Sequence, residues 1–306
     1  MPSSTHLVRS LPERRPDSSA GAAIAGAVGL IVLVTLALVG VAEARHAVGA
    51  ADPAIVTVHS VPKPKGLLVT SGGWAYCEQV RALARRTGYT LLCGRYANDG
   101  YTGPGLRAER HLDWGNPAYL DSLARRVRTA HRKVGGELVL IGVSYSGFGV
   151  ATLASHHPEL QPDRLIAIDT YLELVPRRAA LPASHQTARD IDAETSGSRS
   201  ELVARSVSAA GLARLVRTGT SLAVIWSIAP EERREFNGAT CDRRSNAGML
   251  AKLAGELGKP VTGWVSTALH GHNLWGHGTA IVAGHPPGKQ FTFTPGGRIP
   301  PGSVCG

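Results

Sequence analysis

The sequence predicts an α/β protein whose mostly parallel sheet is covered by helices on both faces. Two observations carry this. From Ala54 onward, short apolar runs of strand length alternate with longer segments that have one apolar side, the order that builds parallel sheets. In the middle of that alternation stands Leu138 to Val150, LVLIGVSYSGFGV. It begins as the apolar run of a buried parallel strand, turns through Gly-Val-Ser-Tyr-Ser-Gly, and continues in small and apolar residues that suit a helix.

The elements run in order along the chain. Ile55 to Val61 reads as a strand and Pro62 to Lys65 as a turn. Gly66 to Thr70 is a second strand, ending in Ser71-Gly72-Gly73-Trp74, and a helix from about Ala75 to Thr87 stops at Gly88. Tyr89 to Cys93 is the next strand, followed by a loop rich in Gly, Asp and Asn through Asp113-Trp114-Gly115. Asn116 can cap the following helix with Pro117 at its first position, and Leu120, Leu123, Val127 and Val134 give it one apolar side. After the central strand and its helix, Arg164 to Ile168 is a strand closed by Asp169. Pro176 to Thr220 breaks the rhythm with a polar stretch and short helical pieces, the size and place of a small helical lid insertion. Ser221 to Trp226 resumes the sheet, a helix runs from about Ser245 to Leu257, and Val261 to Thr267 is the last expected strand. The tail from 284 to 306 is rich in Pro and Gly and reads as irregular. The expected organisation is a lead over 1–19, an apolar segment over 20–42, a domain over 54–283 with its lid at about 176–220, and the tail.

The lead is polar, holds Arg9, Arg14 and Arg15, and reads as disordered and cytoplasmic. Ala20 to Ala42 carries no charge, which exceeds the ~20 residues that span a bilayer, and the preceding arginines favour export of the chain beyond Ala42. The segment is either a retained single-pass anchor, placing the domain outside the cell membrane, or a signal cleaved near Ala42-Glu43-Ala44, giving a secreted protein. Its apolar run is longer than a signal core of ~7–15 residues, which favours the anchor. The net charge of +10 raises nucleic acid as a partner. Dispersed arginines, 5% aromatic residues and no stacking or zinc-finger motif argue against it, leaving a solvated basic surface that suits anionic lipid. Cys77, Cys93, Cys241 and Cys305 are an even number in a chain read as exported, so two disulfides are expected. Spacing leaves three pairings open. Cys77 lies in the first turn of its helix and Cys93 ends the next strand, so a Cys77–Cys93 bridge is geometrically accessible.

The turn at Ser144 has the layout of a nucleophile elbow: a hydroxyl on a sharp turn at the carboxyl end of a strand, standing clear of the sheet. Small residues two before and two after it, Gly142 and Ser146, let strand and helix approach closely. The usual pattern has glycine where Ser146 stands, with Gly147 here one place later; centring the turn on Ser146 would put Phe148 where a small residue is needed. With a histidine-rich loop after the last strand and an insertion between, the chain from Ile55 to Gly278 resembles the α/β-hydrolase family, in which the order is nucleophile, acid, histidine. The resemblance implies an α/β-hydrolase fold and a serine esterase or lipase-like activity on a small-molecule or lipid-like acyl substrate, without cofactor or metal. Ser144 would be the nucleophile and His272, preceded by Gly271, the base, with His270 and His277 as alternatives. A metal site built from those three histidines lacks a carboxylate or cysteine ligand nearby. The family usually carries the acid after the strand corresponding to Leu222–Trp226, where only Glu231 and Glu232 stand; some members place it one strand earlier, where Asp169 closes its strand. Asp169 is favoured, since a carboxylate closing a buried strand needs a partner, with Glu231 or Glu232 next and Asp242 behind them. The oxyanion hole would take the amide of Tyr145 and one from Gly73 or Trp74. Two rivals share the fold: non-ester chemistry, and a catalytically silent binding domain.

Overall fold

Eight strands form one sheet in the order β1-β3-β2-β4-β5-β6-β7-β8. They are β1 (Ala54–His59), β2 (Gly66–Ser71), β3 (Thr90–Tyr96), β4 (Glu137–Val143), β5 (Arg164–Ile168), β6 (Ser221–Ser227), β7 (Val261–Ser266) and β8 (Lys289–Phe293). The computed structural model describes residues 52–72, 74–97, 113–229, 240–266 and 276–305, without the side chains of 74–76. Segment 20–42, Gly73, Glu231, Glu232, His270 and His272 therefore lie outside the described residues. Strands β2 to β7 run parallel to their neighbours, while β1 pairs antiparallel with β3 and β8 antiparallel with β7. This is an α/β-hydrolase fold: a mostly parallel sheet with helices on both faces, and an elbow after a central strand.

Strand periodicity divides the core in two. Leu67 and Val69 of β2, Leu138 and Leu140 of β4, and Leu165 and Ala167 of β5 point to one face. There they meet α2 (Pro117–Val134), α3 (Tyr145–His156), α7 (Ala209–Arg217) and α8 (Asn246–Leu257) through Leu123, Phe148, Leu212 and Leu250. Leu68, Val139, Ile141, Ile166 and Ile168 point to the other, against α1 (Trp74–Thr87) and α9 (Gly278–Val282) through Val80, Leu83 and Ile281. A fully buried Leu or Ile side chain contributes about 2 kcal/mol by leaving water. Strands apolar on both faces are what a two-sided cover requires, and β2 and β4 are buried almost end to end. Asn116 caps α2 as expected, its side chain accepting from the amides of Ala118 and Tyr119.

The structure amends the sequence reading in three places. Strand β3 continues to Tyr96, so Cys93 sits within it, opposite Thr70 of β2. The tail is not irregular throughout, because Lys289–Phe293 joins the sheet with Phe291 and Phe293 turned inward. In the lid stretch, α4 (Leu174–Ala179), α5 (Gln186–Thr195) and α6 (Arg199–Ala204) precede α7, which leads into β6 and packs against α3 and α8 rather than standing apart as a lid. It lies so close to α3 that a Cβ at Gly211 would stand 1.9 Å from the Ser155 carbonyl oxygen. Leu212 and Leu215, three apart, bury the stripe that draws α7 inward.

Both disulfides form. Cys77 pairs with Cys93 at a Cα separation of 5.5 Å, and Cys241 pairs with Cys305 at 5.3 Å. The second ties the tail down, helped by the Trp226 indole N–H donating to the Ser303 carbonyl at 2.9 Å. Among the described residues, no helix is long and apolar enough to cross a membrane.

Candidate active site

Strand β4 ends at Val143, whose register partner on β5 is Ile168. The next residue on each strand is a candidate: Ser144 on one, Asp169 on the other. Ser144 stands at φ 53, ψ −125 between strand and helix, and its amide donates to the Ile168 carbonyl at 2.9 Å. A non-glycine residue in that region costs about 1–3 kcal/mol and persists only where its surroundings impose it. Here the imposition is visible. A Cβ at position 142 would lie 2.3 Å from the Ser146 carbonyl carbon, so only glycine lets α3 cross β4 this closely. The departure at Ser146 is also explained. Its side chain turns toward β2, where its hydroxyl meets that of Thr70 at 2.8 Å, both groups buried. It is Gly147 that has no room, since a Cβ there would stand 2.8 Å from Thr170 Cβ.

Asp169 also adopts a positive φ, 45°, and is buried. Its amide donates to the Ile225 carbonyl at 2.7 Å, and its Oδ1 accepts from the Ser227 amide at 2.7 Å. The carboxylate thus leans over the end of β6, the strand after which the resemblance places the acid. Asp242 is engaged elsewhere, with both oxygens on the Arg244 guanidinium at 3.1 Å; those hydrogen bonds hold its carboxyl below the usual range. Strand β7 ends at Ser266, four residues before His270 and six before His272, both outside the described residues. His277 is described; it is exposed at the start of α9, beside Gly278, which packs on Leu83 of α1.

The donors expected of an oxyanion hole divide similarly. Tyr145 opens α3, and the Ser144 side chain makes no capping hydrogen bond there. Strand β2 ends at Ser71, whose hydroxyl meets that of Tyr119 at 2.9 Å, and Gly72 follows at φ 101. Gly73 lies outside the described residues, and Trp74 opens α1.

One buried group was not singled out in the sequence. Asp113, 1% exposed, accepts from the Tyr145 phenol at 2.5 Å on Oδ2 and from the Gly115 amide at 2.7 Å on Oδ1. Its own amide donates back to the Tyr145 hydroxyl at 3.0 Å. Around the pair lie Trp114, edge-on to Tyr145 at 5.0 Å between centroids, with Phe148 and Tyr171 behind it. Burial pushes the Asp113 carboxyl up to about 6, against the pull of its hydrogen bonds, and pushes the Tyr145 phenol well above its ordinary range. The sequence signal was slight: Asp-Trp-Gly read as a loop end, and Tyr145 drew notice only for its main chain.

Among the described residues, no three His, Cys, Asp or Glu side chains are grouped as metal ligands would be. A cleft of about 570 Å³, lined by Lys65, Arg86, Tyr89, Glu137 and Arg164, lies at the opposite, amino-terminal edge of the sheet.

No family model matches the chain, and no curated protein is significantly similar to it. Solved structures do resemble it. The Pyrococcus horikoshii acylaminoacyl peptidase is 14% identical at a TM-score of 0.47 over 73% of this chain, which spans only 36% of that peptidase. A putative thioesterase from Silicibacter sp. is 16% identical at 0.45, over 76% of this chain and 78% of the other. An acetyl xylan esterase from Paenibacillus sp. R4 is 15% identical at 0.43, with the same shares covered. The fold rests on the strand order and the elbow themselves.

Proposed function

We propose that this chain is a serine hydrolase that cleaves an ester or related acyl bond through an acyl-enzyme on Ser144. The observation that carries the reading is the strained backbone of Ser144 at the carboxyl end of a central strand, where Gly142 lets α3 close on β4. A serine at that conformation costs more than a glycine would, which suits a hydroxyl needed for chemistry. Ser144 Oγ attacks the acyl carbon while His272 takes its proton; the C–O bond breaks and the alcohol leaves with that proton. Water, deprotonated by the same imidazole, then attacks the acyl-enzyme, releasing the acid and restoring the serine. Asp169 orients the histidine, a role supported by its burial at the end of the neighbouring strand, with Glu231 or Glu232 as the alternative acid. The Tyr145 amide, with that of Gly73 or Trp74, receives the oxyanion.

In this reading the substrate is a small-molecule or lipid-like acyl compound, and segment 20–42 holds the protein in the cell membrane with the domain outside, or is removed to give a secreted enzyme. Two disulfides support an oxidising compartment. The test is a fluorophosphonate probe on the full chain. Labelling that disappears in Ser144→Ala supports the enzyme; an unlabelled wild-type chain points to a silent binding domain.

A further inference from the structure

We propose that Asp113 is a positioning residue for the site at Ser144, fixing the Tyr145 amide by holding the Tyr145 phenol. The inference rests on the acyl-transfer reading above. Tyr145 is joined directly to Ser144, and its N–H is the elbow's own oxyanion donor, so any rocking of Tyr145 moves that donor relative to the attacked carbon. The Ser144 side chain, at the N-cap of α3, makes no capping hydrogen bond. The Tyr145 side chain is clamped instead. Its hydroxyl gives a hydrogen bond to Asp113 Oδ2 at 2.5 Å and receives one from the Asp113 amide at 3.0 Å, while its ring is wedged against Trp114 and Phe148. Asp113 is itself fixed by the Gly115 amide at 2.7 Å. The segment 113–116 is anchored in turn. Asn116 caps α2 and its Nδ2 donates to Glu194 at 3.4 Å, and Gly115 sits so near the Arg205 carbonyl that a Cβ would stand 2.5 Å from its oxygen. The elbow is thereby tied to α2 and to the insertion by one phenol–carboxyl pair. That pair touches neither substrate nor reacting atoms and acts through the position of an amide.

The experiment is the rate of Ser144 modification by a fluorophosphonate, with kcat and KM on a chromogenic acetyl ester, in the full-length chain. Wild type, Tyr145→Phe, Asp113→Asn and the double variant are compared. Tyr145→Phe removes one oxygen and keeps the ring, so it decides the matter even where Asp113→Asn folds poorly. The expected result is a labelling rate and kcat about tenfold lower in each single variant, the factor for about 1.4 kcal/mol of transition-state stabilisation. KM should change little, and the double variant should be no slower than the singles, because each breaks the same chain of hydrogen bonds that runs from the phenol through residue 113 to the Gly115 amide. Single variants that label at the wild-type rate, or losses that multiply in the double variant, overturn the proposal while leaving the hydrolase reading intact. A wild-type chain that never labels removes that reading, and this inference with it.

Discussion

Replacing Asp113 by Asn should make stability depend differently on pH, and the direction is set by the buried site. In the native chain the carboxyl is pushed from 3.8 to about 6, chiefly by burial. The unfolded carboxyl loses its proton at lower pH, so between about pH 4 and 6 the native state holds more protons than the unfolded one. Native stability contributed by this group is therefore full below about pH 4 and falls as pH rises through about 6. The displacement corresponds to a loss of about 3 kcal/mol by neutral pH. Asparagine does not titrate. Its amide cannot serve both the Tyr145 hydroxyl and the Gly115 amide as acceptors, which costs about 1–3 kcal/mol at any pH. Asp113→Asn should then be clearly less stable than wild type at pH 4 and close to it at pH 7. Urea unfolding of the two full-length chains from pH 4 to 8 measures this. Most other titrating groups cancel in the difference; Glu194, the other charge felt at Asp113, is held by Arg205 at 3.3 Å in both proteins. A stability difference that stays constant, or that moves against the variant as pH rises, would refute the reasoning. The second outcome would mean that the hydrogen bonds outweigh burial.

Ser144→Gly should be about 1–3 kcal/mol more stable than Ser144→Ala by the same unfolding assay, because glycine adopts φ 53, ψ −125 without a Cβ clash; equal stabilities would mean the elbow is unstrained. Asp169→Asn should lower turnover by orders of magnitude with the fold retained, and full activity in it, with loss in Glu231→Gln or Glu232→Gln, would move the acid to the loop after β6. Breaking Cys77–Cys93 as a double Ala variant should cost about 3 kcal/mol and breaking Cys241–Cys305 about 4, since the bridges close sequence separations of 16 and 64. The reverse ranking in denaturant would show that native packing, not chain entropy, sets their worth. A reporter active only after export, fused behind Gly278, should be active; a silent reporter would overturn the exported topology.

Some of this protein was written locally. Strand and helix periods, the Asn116-Pro117 start and the turn around Ser144 each depend on neighbours a few residues away, so the sequence alone yields the fold class and the nucleophile candidate. Even β8 was there to be read, in the alternation of Phe291 and Phe293, though a Pro- and Gly-rich surround obscured it. What the sequence could not decide lies between elements far apart in the chain. Why serine is tolerated at 146 depends on Thr70, 76 residues away, whose hydroxyl receives it. Which cysteines pair depends on how α1 lies against β3 and where the tail returns to the segment at Cys241. Whether Ala209–Arg217 covers a site or packs on α3 depends on the room beside Ser155 that admits Gly211. Asp113 reads as an ordinary loop residue until the fold closes over it, because burial raises its carboxyl against the pull of the Tyr145 phenol, 32 residues on. Desolvation and close approach are properties of assembled surfaces, and no short window of sequence contains them.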